Sequence, residues 1–212
     1  MLQARSEQPI FLIVAGPNGS GKSSVYENAK LEWDGRSVWI VNPDLLAVRI
    51  RDVENLEPTA ANLEAVIRIE AWLDSSIQVH KTVGVETVLS TDKYRRLVKK
   101  AKGLGFAVWL IYVVLDSPDR SIERIRLRVA KGGHHVKDDD VRRRYGRSLQ
   151  QMKWFLSEAD QAWIYDNSGA KPKQIAEKLD GVISVAEGAL AIVLKTILAI
   201  EDRPQTGTGD LI

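Results

Sequence analysis

The sequence contains no cysteine, and that absence removes disulfide frameworks, thiolate metal sites and cysteine nucleophiles at once. Histidine is scarce as well. Of its three residues, His80, His134 and His135, two are adjacent, and neighbours of that kind do not make a coordination set. No apolar run is long enough to cross a bilayer, since Phe106 to Leu115 covers only about half a membrane span and reads as a buried strand. An excess of one charge is missing too: 30 Lys plus Arg against 28 Asp plus Glu leave +2, so any polyanion-binding role has to come from local clusters. Met1 to Pro9 is polar, carries Arg5 and Glu7, and lacks the apolar middle of a secretory signal, so a cytoplasmic protein is expected.

What is present is ordinary globular composition, 44% apolar and 27% charged, which argues against disorder. At 212 residues the expectation is one domain, 1–212. Ile10 to Val14 is a continuous apolar run that suits a strand covered on both faces. A helix is predicted from Lys22 to about Leu31, a strand over Ser37 to Val41, and a helix after Pro43. Apolar residues at helical spacing predict a long helix from Pro58 to about Val79. Strands follow at Val83 to Leu89 and Phe106 to Leu115, with a helix between them from Thr91 to Lys102. Ser117-Pro118-Asp119 starts a capped helix, and Asp116 belongs to the same cap signal. A helix led by Lys137 to Arg147 extends past Trp154, Ala162 to Tyr165 is the last strand, and a C-terminal helix is expected at about 183–200. Such alternation implies βαβ units with right-handed crossovers, hence a three-layer α/β/α sandwich on a mainly parallel sheet.

Gly16-Pro17-Asn18-Gly19-Ser20-Gly21-Lys22-Ser23 satisfies GxxxxGK[ST] between a buried strand and a helix, the context that a P-loop requires. With Ser24 these residues are the expected cradle for ATP or GTP, because curled backbone turns successive N–H groups inward toward phosphate. Lys22 is expected on the β- and γ-phosphates and the Ser23 hydroxyl on Mg²⁺. Asp44 ends the second strand at the edge where α/β sites assemble; it can take a proton from an attacking hydroxyl, and it can equally serve as a helix cap. Glu86 interrupts an apolar strand, where a carboxylate faces a site or an ion-pair partner. The segment Arg128 to Leu149 gathers cations around Gly132-Gly133-His134-His135 and reads as a basic lid at about 128–150, able to close over a nucleotide. It reads also as a solvated face of ion pairs, while nucleic acid is disfavoured by the few interleaved aromatics.

Gly16 to Ser23, Asn42-Pro43-Asp44, Glu86-Thr87 with Leu89-Ser90, and Arg128 to Val136 followed by Arg142 to Leu149 resemble the zeta toxin family of P-loop kinases in its smaller, stand-alone branch. The resemblance implies an ATP- or GTP-dependent kinase that phosphorylates a sugar hydroxyl of UDP-N-acetylglucosamine, a small-molecule acceptor, and a possible antitoxin partner. It places the catalytic carboxylate on Asp44, the phosphate lysine on Lys22, and lid arginines on Arg128 and one of Arg143 or Arg144. Glu86 and Thr87, with His134, would then hold the acceptor. A kinase of nucleic-acid ends or of another metabolite, and a non-catalytic nucleotide-dependent interaction protein, are the alternatives.

Overall fold

A computed structural model of the protein describes residues 8–28, 38–132 and 135–201. The chain runs β1 (Ile10–Ala15), α1 (Lys22–Asn28), β2 (Trp39–Val41), α2 (Pro43–Glu54), α3 (Pro58–Gln78), β3 (Val83–Thr87), α4 (Arg95–Gly103), β4 (Ala107–Val114), α5 (Pro118–Val129), α6 (Asp138–Glu158), β5 (Gln161–Asp166), β6 (Lys173–Leu179), β7 (Val182–Val185) and α7 (Ala191–Glu201). The strands form one sheet in the order β2-β3-β1-β4-β5-β6-β7. β2, β3, β1, β4 and β5 are mutually parallel, whereas β6 and β7 are antiparallel additions.

β1 is central because its six residues are apolar and buried, which only a strand covered on both faces tolerates. Side chains alternate between faces at period two. Phe11, Ile13 and Ala15 join the core beneath α3, α4, α6 and α7, while Ile10, Leu12 and Val14 face Val25 of α1 with Ile111 and Val113. The expected three layers are therefore present with unequal thickness. Sequence order reverses at β1, whose neighbours are β3 on one side and β4 on the other, so a crevice opens beyond their carboxyl ends.

Local chemistry sets the boundaries. Asn42 caps α2, its side chain accepting from the amides of Asp44 and Leu45, and Pro43 occupies the first turn. Ser117 caps α5 in the same way, accepting from the Arg120 amide. Asp116 instead holds the Arg120 guanidinium at 2.7 Å, which corrects its assignment to the cap. β3 stops at Thr87, two residues short of expectation, since Leu89 turns into the left-handed region at φ 56° with its amide donating to Thr87 Oγ1.

Two expectations fail near the C-terminus. Ala162 to Tyr165 is not the last strand, and residues 183–200 are not one helix. Asp180 and Gly181, at φ 50° and 82°, make the two-residue turn that joins β6 to β7, and the helix begins only at Ala191. Residues 29–31 of the helix expected from Lys22, and Ser37 of the expected second strand, lie outside the described residues.

Ile13 has no exposed surface. Ile13→Ala is expected to cost about 3 kcal/mol of unfolding free energy, the usual range for truncating a core isoleucine. The midpoint of urea unfolding, with unchanged slope, is the measurement that checks it.

Candidate active site at the carboxyl edge of the sheet

The loop from Gly16 to Gly21 sits directly on the ends of three strands. Gly16 adopts φ 147°, and a Cβ there would lie 2.0 Å from the Val113 carbonyl, so β4 can approach the loop only because the side chain is absent. The Gly16 amide donates to Thr87 O at 3.3 Å, tying the loop to β3, and Ser20 N closes a turn onto Pro17 O at 3.2 Å. From the other side α5 seats against Gly19, whose Cβ position would be 2.8 Å from Ser121 O.

Lys22 is buried, and its ammonium donates to Gly16 O at 2.9 Å and Pro17 O at 3.2 Å. Burial pushes its pKa below the ordinary lysine value, the Glu86 and Asp44 carboxylates pull it back up, and Arg128 pushes it down again. Those opposing influences mean that Asp44 at the start of α2, Glu86 at the end of β3 and Arg128 in the last turn of α5 converge electrostatically on one ammonium. Ser23 Oγ donates to Glu86 Oε2 at 2.9 Å. Asn18 Oδ1 and Ser20 Oγ are buried without a hydrogen-bond partner among the described residues. A cradle with a buried ammonium and an unpartnered Ser20 hydroxyl able to donate is chemically matched to a polyanion.

Among the described residues no group of three His, Asp or Glu side chains could hold a metal by itself. Mg²⁺ nevertheless fits here, because it is bound through few protein oxygens with phosphates and water supplying the rest. The Ser23 hydroxyl beside the Glu86 carboxylate supplies two such oxygens. Glu86 therefore lies against Ser23 of the P-loop. Thr87 stays at the rim, its hydroxyl accepting from Leu89 N and its carbonyl from Gly16 N. Asp44 is exposed in the first turn of α2, with its side chain not used as the cap. Ser24 is exposed in the first turn of α1.

The basic segment divides. Arg128 is exposed and reaches Lys22 electrostatically. Arg143 pairs with Asp140 at 2.5 Å, Arg142 with Asp119 at 2.6 Å and Arg126 with Asp138 at 2.6 Å, all in solvent. Arg144 is half-buried and makes no ion pair with a described residue. His134 lies outside the described residues.

Three residues escaped the sequence reading. Asn167, in the turn after β5, donates from Nδ2 to Ser20 O at 2.8 Å, and Arg124 of α5 donates to the Asn167 carbonyl at 2.6 Å. The only hint was polar turn residues at a carboxyl strand end. Lys93 stands with its ammonium 4.6 Å from the centre of the Tyr94 ring; burial lowers its pKa, against the pull of Glu70 and Asp44. A groove of about 800 Å³ lies at the opposite, amino edge between Trp109 and Gly181. Its lysines are already engaged, Lys102 by Glu158 and Lys178 by the carbonyls of Leu156 and Ser157.

A family model described as zeta toxin matches residues 2–170, which contain every one of these converging groups. The chain belongs to the zeta toxin family. A relative within reach of sequence comparison, an uncharacterized protein of Haemophilus influenzae, is 28% identical over 134 residues, spanning 63% of this chain and 91% of the relative. Among solved structures, that of the AvrRxo1-ORF1:-ORF2 complex with ATP superposes with a TM-score of 0.63 at 16% identity, covering 97% of this chain and 67% of that one. The PezAT toxin-antitoxin structure of Streptococcus pneumoniae gives 0.58 at 15% identity, covering 94% and 87%. At those identities the likeness speaks for the fold, a P-loop kinase fold that this zeta toxin relative shares. Among the described residues no helix is long and apolar enough to cross a membrane.

Ser23→Ala removes a donor from a buried carboxylate. Hydrogen bonds to charged groups contribute roughly 2 kcal/mol, and a loss of that order is expected in urea unfolding of the protein without nucleotide.

Proposed function

We propose that this protein is a kinase that transfers the terminal phosphoryl group of ATP or GTP to a hydroxyl of a small acceptor, with the sugar of UDP-N-acetylglucosamine as the favoured one. The observation that carries the reading is the convergence of Asp44, Glu86 and Arg128 on the buried Lys22 at the switch point of the sheet. The acceptor identity rests on family kinship alone.

In this reading Lys22 exchanges the carbonyls of Gly16 and Pro17 for phosphate oxygens, a trade of weak acceptors for charged ones. Asp44 takes the proton of the acceptor hydroxyl as its oxygen attacks the terminal phosphorus. The bond from that phosphorus to the bridging oxygen breaks, and the nucleoside diphosphate leaves. Mg²⁺ held by Ser23 and Glu86 would neutralise charge on the phosphates. Arg128, with Arg143 or Arg144 from α6, closes over the transferring group, where negative charge spreads across the equatorial oxygens. Thr87 and His134 are assigned to the acceptor side with Lys93, whose cation suits an anionic acceptor. α7 buries Val193 and Ile197 in the main core, which supports one kinase domain. The toxin-antitoxin complexes among the structural neighbours support a protein antitoxin as partner.

The test is mass spectrometry of UDP-N-acetylglucosamine incubated with purified protein, Mg²⁺ and ATP or GTP. A gain of one phosphate is expected. Asp44→Asn should lower the transfer rate about a thousandfold, as loss of a general base does, with nucleotide affinity kept. Lys22→Ala should remove binding and transfer together. If no acceptor in a metabolite extract gains phosphate, the kinase reading is wrong.

A further inference from the structure

The P-loop presents its amides to a ligand only if each peptide plane is turned the right way, and a glycine with positive φ sits on a plane that can flip. Gly21 is such a residue, at φ 83°. Its preceding peptide is held by one side chain from far along the chain: Asn167 Nδ2 donates to Ser20 O at 2.8 Å. Asn167 is buried, at 8% exposure, and a Cβ on Gly21 would lie 2.4 Å from that same nitrogen, so the amide fills the space a side chain would need. Arg124 fixes Asn167 in turn through a 2.6 Å hydrogen bond to its carbonyl.

No peptide bond among the described residues is cis. In a planar trans peptide the C=O and the following N–H point opposite ways. Pinning Ser20 O toward the turn after β5 therefore aims the Gly21 N–H away from that turn. The Gly21 amide makes no hydrogen bond with a described residue, so it is left available.

We propose that Asn167 is a positioning residue for nucleotide binding: its side-chain amide locks the Ser20–Gly21 peptide so that the Gly21 N–H faces the phosphates. The inference rests on the kinase reading of the loop. Asn167→Ala frees the plane to flip without favouring either orientation. Asn167→Asp replaces the donor by an acceptor that repels Ser20 O and attracts the Gly21 N–H, so it selects the wrong orientation.

The experiment is calorimetric titration of wild type, N167A and N167D with ADP and with GDP, beside thermal unfolding of each ligand-free protein and the ¹⁵N–¹H resonance of Gly21. Affinity for the bound diphosphate should fall about tenfold in N167A and about a hundredfold in N167D, one and two decades being the span of one neutral or charge-altered hydrogen bond. The ligand-free melting temperature should fall by only a few degrees in each variant, the loss of one buried hydrogen bond, and should not account for the unequal losses of affinity. The Gly21 amide should shift on titration in wild type and stay unmoved in N167D. Retention of wild-type affinity in both variants overturns the inference. So do equal losses in the two variants that follow a lowered ligand-free melting temperature, because they report packing alone. Wild type that binds neither diphosphate overturns the kinase reading itself, and this inference with it.

Discussion

A buried ammonium must be paired, and the site is organised around that requirement. Lys22 is removed from water by the loop that precedes it, and its ammonium donates to the carbonyls of Gly16 and Pro17. Those are neutral acceptors, so the pairing is complete enough to keep the folded loop and weak enough to be surrendered to an anion. The loop that buries the lysine is itself wedged by close approaches that only glycine permits, to the Val113 carbonyl at Gly16 and to Ser121 of α5 at Gly19. Nucleotide affinity and loop stability are therefore one problem in this fold.

The position of α5 matters for the same reason. It begins at a Ser117 cap, lies against the P-loop through Ser121 and Ile125, braces the turn after β5 through Arg124, and ends with Arg128 near Lys22. One helix thus packs on the loop, braces the turn behind it and carries Arg128 in its last turn. Arg126, Arg142 and Arg143 are held by Asp138, Asp119 and Asp140 in solvent, where an ion pair contributes at most about 1 kcal/mol. Pairs that weak restrain the basic segment without opposing its transfer to a phosphate.

What the sequence made legible was whatever local pattern encodes. The continuous apolar run of β1, the glycines before Lys22 and the Asn-Pro-Asp signal at the start of α2 each carry their meaning within a few residues, and each sits where that meaning predicts. Glu86 was visible as an anomaly, though its partner Ser23 was not, because 63 residues separate them. The Asn167 contact with Ser20 spans 147 residues and could not be seen without the fold. β6 and β7 were missed for a different reason. Only Ile175 and Ala176 of β6 are buried and β7 exposes most of its length, so neither carries the alternation that marks a half-buried strand. The apolar residues beyond them were then absorbed into one helix.

That hairpin lies outside the family-matched residues, which end at 170. Without it the six-residue backbone of β5 would be the bare margin of the sheet, an open template for strands of other molecules. With it, β5 is paired on both sides and the free margin is the four-residue β7, two strands removed. The late hairpin thus acts as a selvedge: it keeps foreign backbone from unravelling the strand whose end steadies the phosphate loop.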